Sequence, residues 1–140
     1  MKKLALLFLF AVAALTSKSQ SVDTSKVFSI VEVLPSFPGG DQVFTRYVAN
    51  NIRYPANAIK NRIEGRVYVS FVVDIDGSIK QIKVLRPVSP ELDAEAIRII
   101  SSSPKWKPGM NNGYPVKASF NMPITFRLSL PVDTAAKKHK

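Results

Sequence analysis

The chain has 140 residues, of which 20 are Lys or Arg and 10 are Asp or Glu, so its formal net charge is +10. It contains no cysteine and a single histidine, His139, next to the last residue. This composition excludes disulfide frameworks, thiolate zinc sites and cysteine nucleophiles, and it leaves no histidine on a rigid element for a Ser-His-Asp triad. We therefore expect a small binding domain rather than an enzyme, with no cofactor and no metal.

The first residues have the pattern of a secretory signal peptide. Two lysines precede an uninterrupted apolar run over residues 4–15, and the small residues that follow favour cleavage before Gln20. As a helix, these 12 residues would reach about 18 Å, short of the roughly 30 Å of a bilayer core. We predict that residues 1–19 are a signal peptide and that the protein is exported to the periplasm. An inner-membrane anchor at residues 4–15 is the alternative.

The mature chain is divided by composition into three parts. Residues 20–34 form a lead segment whose second half, residues 27–34, is apolar and β-branched enough to predict a short strand. Residues 35–130 carry the regular patterns of one domain. Residues 131–140 end in Lys-Lys-His-Lys and are expected to be a basic flexible tail.

The domain begins with a turn and two helices. Residues 35–40 contain two prolines and two glycines and cannot continue a regular element. Asp41 is a candidate N-cap for an amphipathic helix that extends to about Asn51. Pro55 suits the first position of a short second helix, which Gly65 ends.

A β-hairpin follows. Val67, Val69, Phe71 and Val73 alternate with more polar residues, and Asp76-Gly77 predicts a two-residue turn. With that turn, Ile75 opposes Ser78 and Val69 opposes Val84. Asp74 to Gly77 also resembles the start of a calcium loop, but its twelfth position would be Leu85 rather than a glutamate, so we interpret it as a turn.

A third helix and a long strand complete the pattern. Ser89-Pro90 has the features of a helix start, and apolar residues then recur at helical spacing to about Ser101. Residues 116–128 are apolar at every second position, which predicts a strand with one buried face. Pro123 lies inside this strand and cannot donate a ladder hydrogen bond, so we expect part of one edge to be unpaired.

These elements predict an α+β fold, a small antiparallel sheet made of the hairpin and the long C-terminal strand, with helices packed on one face. Trp106 either closes the core or anchors a partner protein. The basic residues are spread over all elements, which speaks against a nucleic-acid partner despite the pI near 10; an acidic partner or anionic lipid would explain the charge as well.

An ordered set of motifs resembles the C-terminal domain of TonB-type energy transducers, particularly the version common in Bacteroidetes-like bacteria. The matching residues are Pro35-x-Phe37-Pro38-Gly39-Gly40, Tyr54-Pro55-x-x-Ala58, Ile63-x-Gly65-x-Val67-x-Val69-x-Phe71-x-Val73-x-x-Asp76-Gly77, Leu92-Asp93-x-Glu95-Ala96, Pro104-Lys105-Trp106-Lys107-Pro108-Gly109, Gly113-x-Pro115-Val116 and Pro123-Ile124-x-Phe126.

The resemblance implies a role in transport without catalysis. Members of this family bind the Ton box, a short extended peptide of outer-membrane TonB-dependent transporters, by adding it as a strand to the sheet, and they work with ExbB and ExbD. Carried over to this sequence, the docking strand comprises Met122, Pro123, Ile124, Thr125, Phe126, Arg127 and Leu128. Tyr54 and Pro55 resemble the region that meets the transporter.

Several of these residues have a purely structural alternative. By alternation Ile124, Phe126 and Leu128 face the core, so that the backbone of the strand rather than these side chains would bind, and Tyr54 could cap the core. The chain also lacks the Pro-rich spacer of full-length family members, which favours a soluble periplasmic module. The alternative function is a structural interaction module that forms homodimers through its C-terminal strand.

Overall fold

The computed structural model describes residues 23–128, so the predicted signal peptide and basic tail lie outside the described residues. The elements in chain order are β1 (Val27–Phe28), α1 (Asp41–Asn51), α2 (Ala56–Lys60), β2 (Gly65–Val73), β3 (Ile79–Arg86), α3 (Pro90–Ser101), β4 (Gly109–Asn111) and β5 (Tyr114–Phe126). The predicted α+β class is confirmed. All three helices contribute side chains to a core on one face of the sheet.

The sheet is built around its longest strand, β5. Its strand order is β1-β5-β2-β3, and β4 also pairs with β5. The pairs β2–β3 and β2–β5 are antiparallel, as the sequence predicts. The pair β4–β5 is also antiparallel, and the sequence does not predict it. The two-residue strand β1 adds a parallel pair at Lys117 and Ala118. Of the strand predicted over residues 27–34, only these first two residues form one, and the chain then makes single bridges at Val33 and Ser36.

The hairpin between β2 and β3 differs from the prediction at its turn. Val69 does oppose Val84. However, the amide of Asp74 donates to the carbonyl of Ser78 at 2.8 Å, so the loop has three residues instead of two. Gly77 adopts a φ of 85°, which fits a three-residue loop whose last residue is left-handed.

β3 has two irregularities, of which the first restores the predicted register and the second moves the pairing one residue beyond it. Between the pairs Val72–Lys80 and Ser70–Lys83, β2 advances by two residues and β3 by three. Gln81 lies in that interval with a φ of 52°, the conformation of a bulged residue. The second irregularity lies next to Tyr68, which pairs with Arg86.

The helix starts follow the sequence signals closely. Ser89 caps α3, and its hydroxyl accepts the amide of Leu92 at 3.2 Å. For α1 the N-cap is Gly40 rather than Asp41, which is the first helical residue. Gly40 has a φ of 93°, a conformation that aspartate rarely adopts, so the glycine takes the capping position.

Trp106 belongs to the core. Its side chain is 4% exposed, and its ring meets those of Phe37, Phe44, Phe71 and Phe120 at centroid distances of 5.2–5.9 Å. The indole nitrogen donates to the hydroxyl of Ser103 at 3.0 Å, which satisfies its polar atom. The cluster joins α1, β2 and β5, and it fixes α1 beside β5.

Candidate functional site

One edge of β5 has no strand partner over much of its length within residues 23–128. On one side, nine residues of β2 pair with residues 118–126 of β5 without a register shift. On the other side, β1 pairs only with Lys117 and Ala118, and the hydroxyl of Ser119 reaches the carbonyl of Phe28 at 3.5 Å. Residues 120–126 therefore present a free edge among the described residues.

Proline positions indicate which main-chain groups point outward from this edge. In an antiparallel pair, residues that bond to the neighbouring strand alternate with residues whose amide and carbonyl face away. Pro123 pairs with Tyr68 and Pro115 with Met110, and neither proline has an N–H to donate. Both prolines therefore fit the set of alternate residues in β5 whose main-chain groups face outward, which we call the outward phase. Asn121 and Thr125 belong to the same set. We infer that Thr125 directs its amide and carbonyl toward the free edge.

An apolar groove runs between the free edge and α1. Its volume is about 380 Å³, and it is open to solvent. Phe44, Val48 and Ile52 line it from α1, and Pro123 and Thr125 line it from β5. An extended chain lying along the edge would therefore contact backbone on one side and helix side chains on the other.

Tyr54 closes one end of the groove. Its ring packs edge-on against Phe126 at a centroid distance of 5.8 Å, and its hydroxyl donates to the carbonyl of Ile63 at 2.5 Å. Burial, together with the nearby Glu64 carboxylate, raises the pKa of the Tyr54 hydroxyl above its ordinary value. The contact with Phe126 and the hydrogen bond to Ile63 hold the ring in place, so that it presents an apolar wall.

A partly buried ion pair fixes the segment that leads into Tyr54. Glu95 on α3 accepts the amide of Arg53 at 2.8 Å and is paired with Arg98 at 2.6 Å. Arg98 also donates to the carbonyl of Asn51 at the end of α1. Burial opposes ionisation of Glu95, but the hydrogen bonds from Arg98 and from the Arg53 amide outweigh it and hold the pKa of this carboxyl below its ordinary value. The ionised carboxylate thus ties α3 to the wall of the groove.

The structure brings part of the predicted site together. Tyr54, Pro123, Ile124, Thr125 and Arg127 all line the groove. The remaining predicted residues are placed elsewhere: Met122 packs on the core, Phe126 is buried in it, Leu128 lies beyond the end of β5 with its amide bonded to Glu64, and Pro55 is the N-cap residue of α2.

Sequence reasoning missed the helical wall of the groove. Thr45, Val48, Ala49 and Ile52 line it from α1, whereas the spacing of apolar residues in α1 indicated only a face that packs on the core. A half-exposed apolar face has the same periodicity as a buried one. The spacing of apolar residues shows to which side the face of a helix points, but not how deeply that face is buried. The exposed Ala49 beside Val48 is the one local sign that this helix face is wider than the core requires.

Two features are absent from residues 23–128. No helix in this part of the chain combines the length and hydrophobicity needed to cross a bilayer. The same residues contain no cluster of three or more potential metal ligands.

Residues 50–128 match the protein family described as "Gram-negative bacterial TonB protein C-terminal". The chain belongs to the TonB C-terminal family. The match covers β2, β3, β5 and all of the groove except most of α1. Domains of this family are non-enzymatic, associated with transport and periplasmic in Gram-negative bacteria, and the family interacts in general with outer-membrane transporters.

Solved structures of TonB C-terminal domains are similar to this chain. A solution NMR structure of the Helicobacter pylori domain (residues 194–285 of that protein) is 29% identical, with a TM-score of 0.48, over 61% of this chain and 89% of that one. The Pseudomonas aeruginosa domain is 31% identical, with a TM-score of 0.43, over 56% of this chain and 79% of that one. Among curated proteins, no match is found.

Proposed function

We propose that the mature protein, residues 20–140, is a periplasmic domain that binds the Ton box of an outer-membrane transporter by strand addition and takes part in TonB-dependent transport. The observation that carries this proposal is the free edge of β5 beside an apolar groove. Family membership supports the transport context, and the groove supports the mode of binding.

The free edge offers what strand addition requires. Main-chain hydrogen bonds give affinity in this mode, and pockets for alternate side chains give specificity. Each net hydrogen bond contributes about 0.5–1.5 kcal/mol, and the outward phase of residues 120–126 can supply only a few, because Pro123 has no donor. Burial of apolar side chains against Val48, Ile52 and Tyr54 must therefore provide much of the affinity.

The predicted site residues then take different roles. Pro123, Thr125 and Arg127 offer outward-facing main chain to the peptide, and Ile124 and Phe126 hold the strand on the core. Tyr54 contacts the peptide at the end of the groove. Pro55 is proposed to contact the transporter from the adjoining start of α2, and ExbB and ExbD remain possible partners by family resemblance alone.

Titration of a Ton-box peptide into the isotopically labelled mature protein tests the proposal. We expect amide shifts in residues 120–127 and in the face of α1 that lines the groove, while β3 stays unchanged. Absence of any shift in β5 at millimolar peptide would overturn the proposal.

A matched pair of variants separates backbone docking from side-chain contact. Thr125→Pro removes an outward amide that β2 does not use and should weaken binding at least tenfold. Thr125→Val keeps the amide and should bind nearly as the unchanged protein does. Equal binding by both variants would show that the amide of Thr125 is not used.

The homodimer alternative uses the same edge and is distinguished by sedimentation. If two copies pair through β5, the mature protein forms a dimer and the Ton-box peptide competes with it. A monomer that binds the peptide supports the proposed function.

A further inference from the structure

We propose that the partner peptide is amphipathic as a strand, with apolar side chains toward α1 and carboxylates toward the solvent face of the sheet. This inference rests on the proposed docking at β5 and adds the chemistry of the peptide that this particular chain selects.

The geometry of a sheet imposes two environments on any added strand. Successive side chains of a strand point to opposite faces. On β5 the residues of one phase, such as Ala118 and Ile124, are buried toward the helices, while Asn121 and Thr125 of the other phase are exposed. An added strand would therefore point one set of side chains into the groove and the other set onto the solvent face.

The groove side accepts apolar groups. Val48, Ala49, Ile52 and Tyr54 form its wall, and among the lining residues that the structure describes only Arg127, at one end, is charged. A charged side chain inserted there would lose water without gaining an ion pair along most of the groove. Its volume of about 380 Å³ is enough for more than one aliphatic side chain.

The solvent face carries a concentration of positive charge. Register and alternation place six cationic residues on it: Arg66, Lys80, Lys83, Arg86, Lys117 and Arg127. The nearby acids compensate for only part of this charge. Asp74 is paired with Lys80 at 2.8 Å, and Glu64, at the end of the face, accepts the amide of Leu128.

One of these cations lies at the free edge, and a second lies close to it on the neighbouring strand. Arg127 continues the outward phase of β5, and Arg66 pairs with Thr125 one strand further in. Both are exposed, and neither forms an ion pair within the described part of the chain. An added strand would place its solvent-facing side chains next to Arg127 and within the field of the whole face. Carboxylates at these positions are favoured and cations disfavoured.

Three capped eight-residue peptides test the inference: alternating Val and Glu, alternating Val and Lys, and a block peptide of four Val followed by four Glu. We expect the alternating acidic peptide to bind about tenfold more tightly than either of the others. The block peptide has the same charge and composition, so it controls for general attraction to a basic protein.

Charge reversal at the edge sharpens the test. Arg127→Glu should lower the affinity for the Val-Glu peptide about fivefold and raise the affinity for the Val-Lys peptide. Lys60→Glu on α2 is the control, because it makes the same change of charge away from the edge. It should change the affinity for the two peptides much less. The preference should also decline at high salt.

The outcomes distinguish this inference from the proposed function. If all three peptides shift the amides of β5 with equal affinity, strand docking stands and the amphipathic preference is wrong. If none of the three peptides changes the amide chemical shifts of β5 at millimolar concentration while a Ton-box peptide does, the amphipathic preference is also wrong. If no peptide of either kind binds, both proposals fail.

Discussion

The two long edges of the sheet, β3 and the free part of β5, are built in opposite ways. β3 has two register irregularities, one of them at Gln81 with a φ of 52°, and it carries Lys80, Lys83 and Arg86. The free part of β5 belongs to a stretch of nine consecutive pairs with β2 that has no irregularity. Bulges and charged residues are the usual protection of an edge against unwanted pairing.

The difference indicates which edge is kept for binding. A regular edge beside an apolar groove offers main-chain groups at regular intervals, apart from the missing donor of Pro123, and a place for side chains. An edge broken by bulges offers neither over more than a few residues. The same sheet thus closes one side to strand addition and leaves the other available, and the following substitutions test each side.

Substitution of Gly77, in the turn that begins β3, should have the largest effect. Its φ is 85°, and a Cβ there would lie 2.1 Å from the carbonyl oxygen of Trp106. Trp106 also donates its amide to Gly77 at 2.9 Å, so the turn is attached to the core. We expect Gly77→Ala to lower the free energy of unfolding by about 3 kcal/mol or more, measured by urea denaturation.

Gly113 provides the matched control for Gly77. Its φ is 77°, yet a Cβ would find no atom within 4 Å. Gly113→Ala should therefore lower the free energy of unfolding by about 1 kcal/mol, which is the cost of placing a non-glycine residue at a positive φ. Equal losses for the two variants would mean that the contact with Trp106 contributes nothing and that β3 is not held through its turn.

Glu95→Gln tests the groove side and should have the second-largest effect. The amide keeps the shape of the side chain but loses the charge that Arg98 and the Arg53 amide stabilise. Hydrogen bonds to charged groups contribute about 1.5–3 kcal/mol, so we expect a loss of about 2 kcal/mol at neutral pH. Glu91→Gln, an exposed acid of the same helix, should change stability little.

The pH dependence of the Glu95 contribution has a definite sign. Because the folded state lowers the pKa of this carboxyl below its ordinary value of 4.5, its contribution is fully present above that value. It is lost as the pH falls below 4.5 through the folded pKa. Glu95→Gln should therefore lose less stability between pH 5 and pH 3 than the unchanged protein, measured by denaturation at both pH values. If the variant and the unchanged protein lost the same stability between pH 5 and pH 3, the proposed role of the ion pair would be wrong.

The sequence predicts the long strand and the helix starts well because each depends on local chemistry. Residues 116–128 alternate in polarity, and Ser89-Pro90 carries its own capping signal. The bulge at Gln81 could not be predicted in this way, since it depends on how a three-residue loop is combined with the pairing of Val69 and Val84. The groove wall on α1 was missed for a related reason: its depth is set by the distance between α1 and β5, which the Trp106 cluster determines.

Gln81 offers the finest test of the comparison between the two edges. A non-glycine residue in a left-handed conformation costs about 1–2 kcal/mol, so Gln81→Gly should raise the free energy of unfolding by up to about 1 kcal/mol. Gln81→Val should lower it by a similar amount, because a β-branched residue tolerates this conformation poorly. Lys83→Val is the control: it introduces the same β-branched residue in the same strand, at a position that does not have a positive φ.

Removal of the residue addresses the role of the bulge itself. Deletion of Gln81 would let Ile82 follow Lys80 in one continuous register with β2 from Val73 to Val69, so that only the irregularity next to Tyr68 remains in β3. If the bulge protects this edge, the deletion variant should associate with itself at concentrations where the unchanged protein is monomeric, measured by sedimentation velocity. A folded deletion variant that stays monomeric would show that the bulge at Gln81 is not what keeps this edge closed.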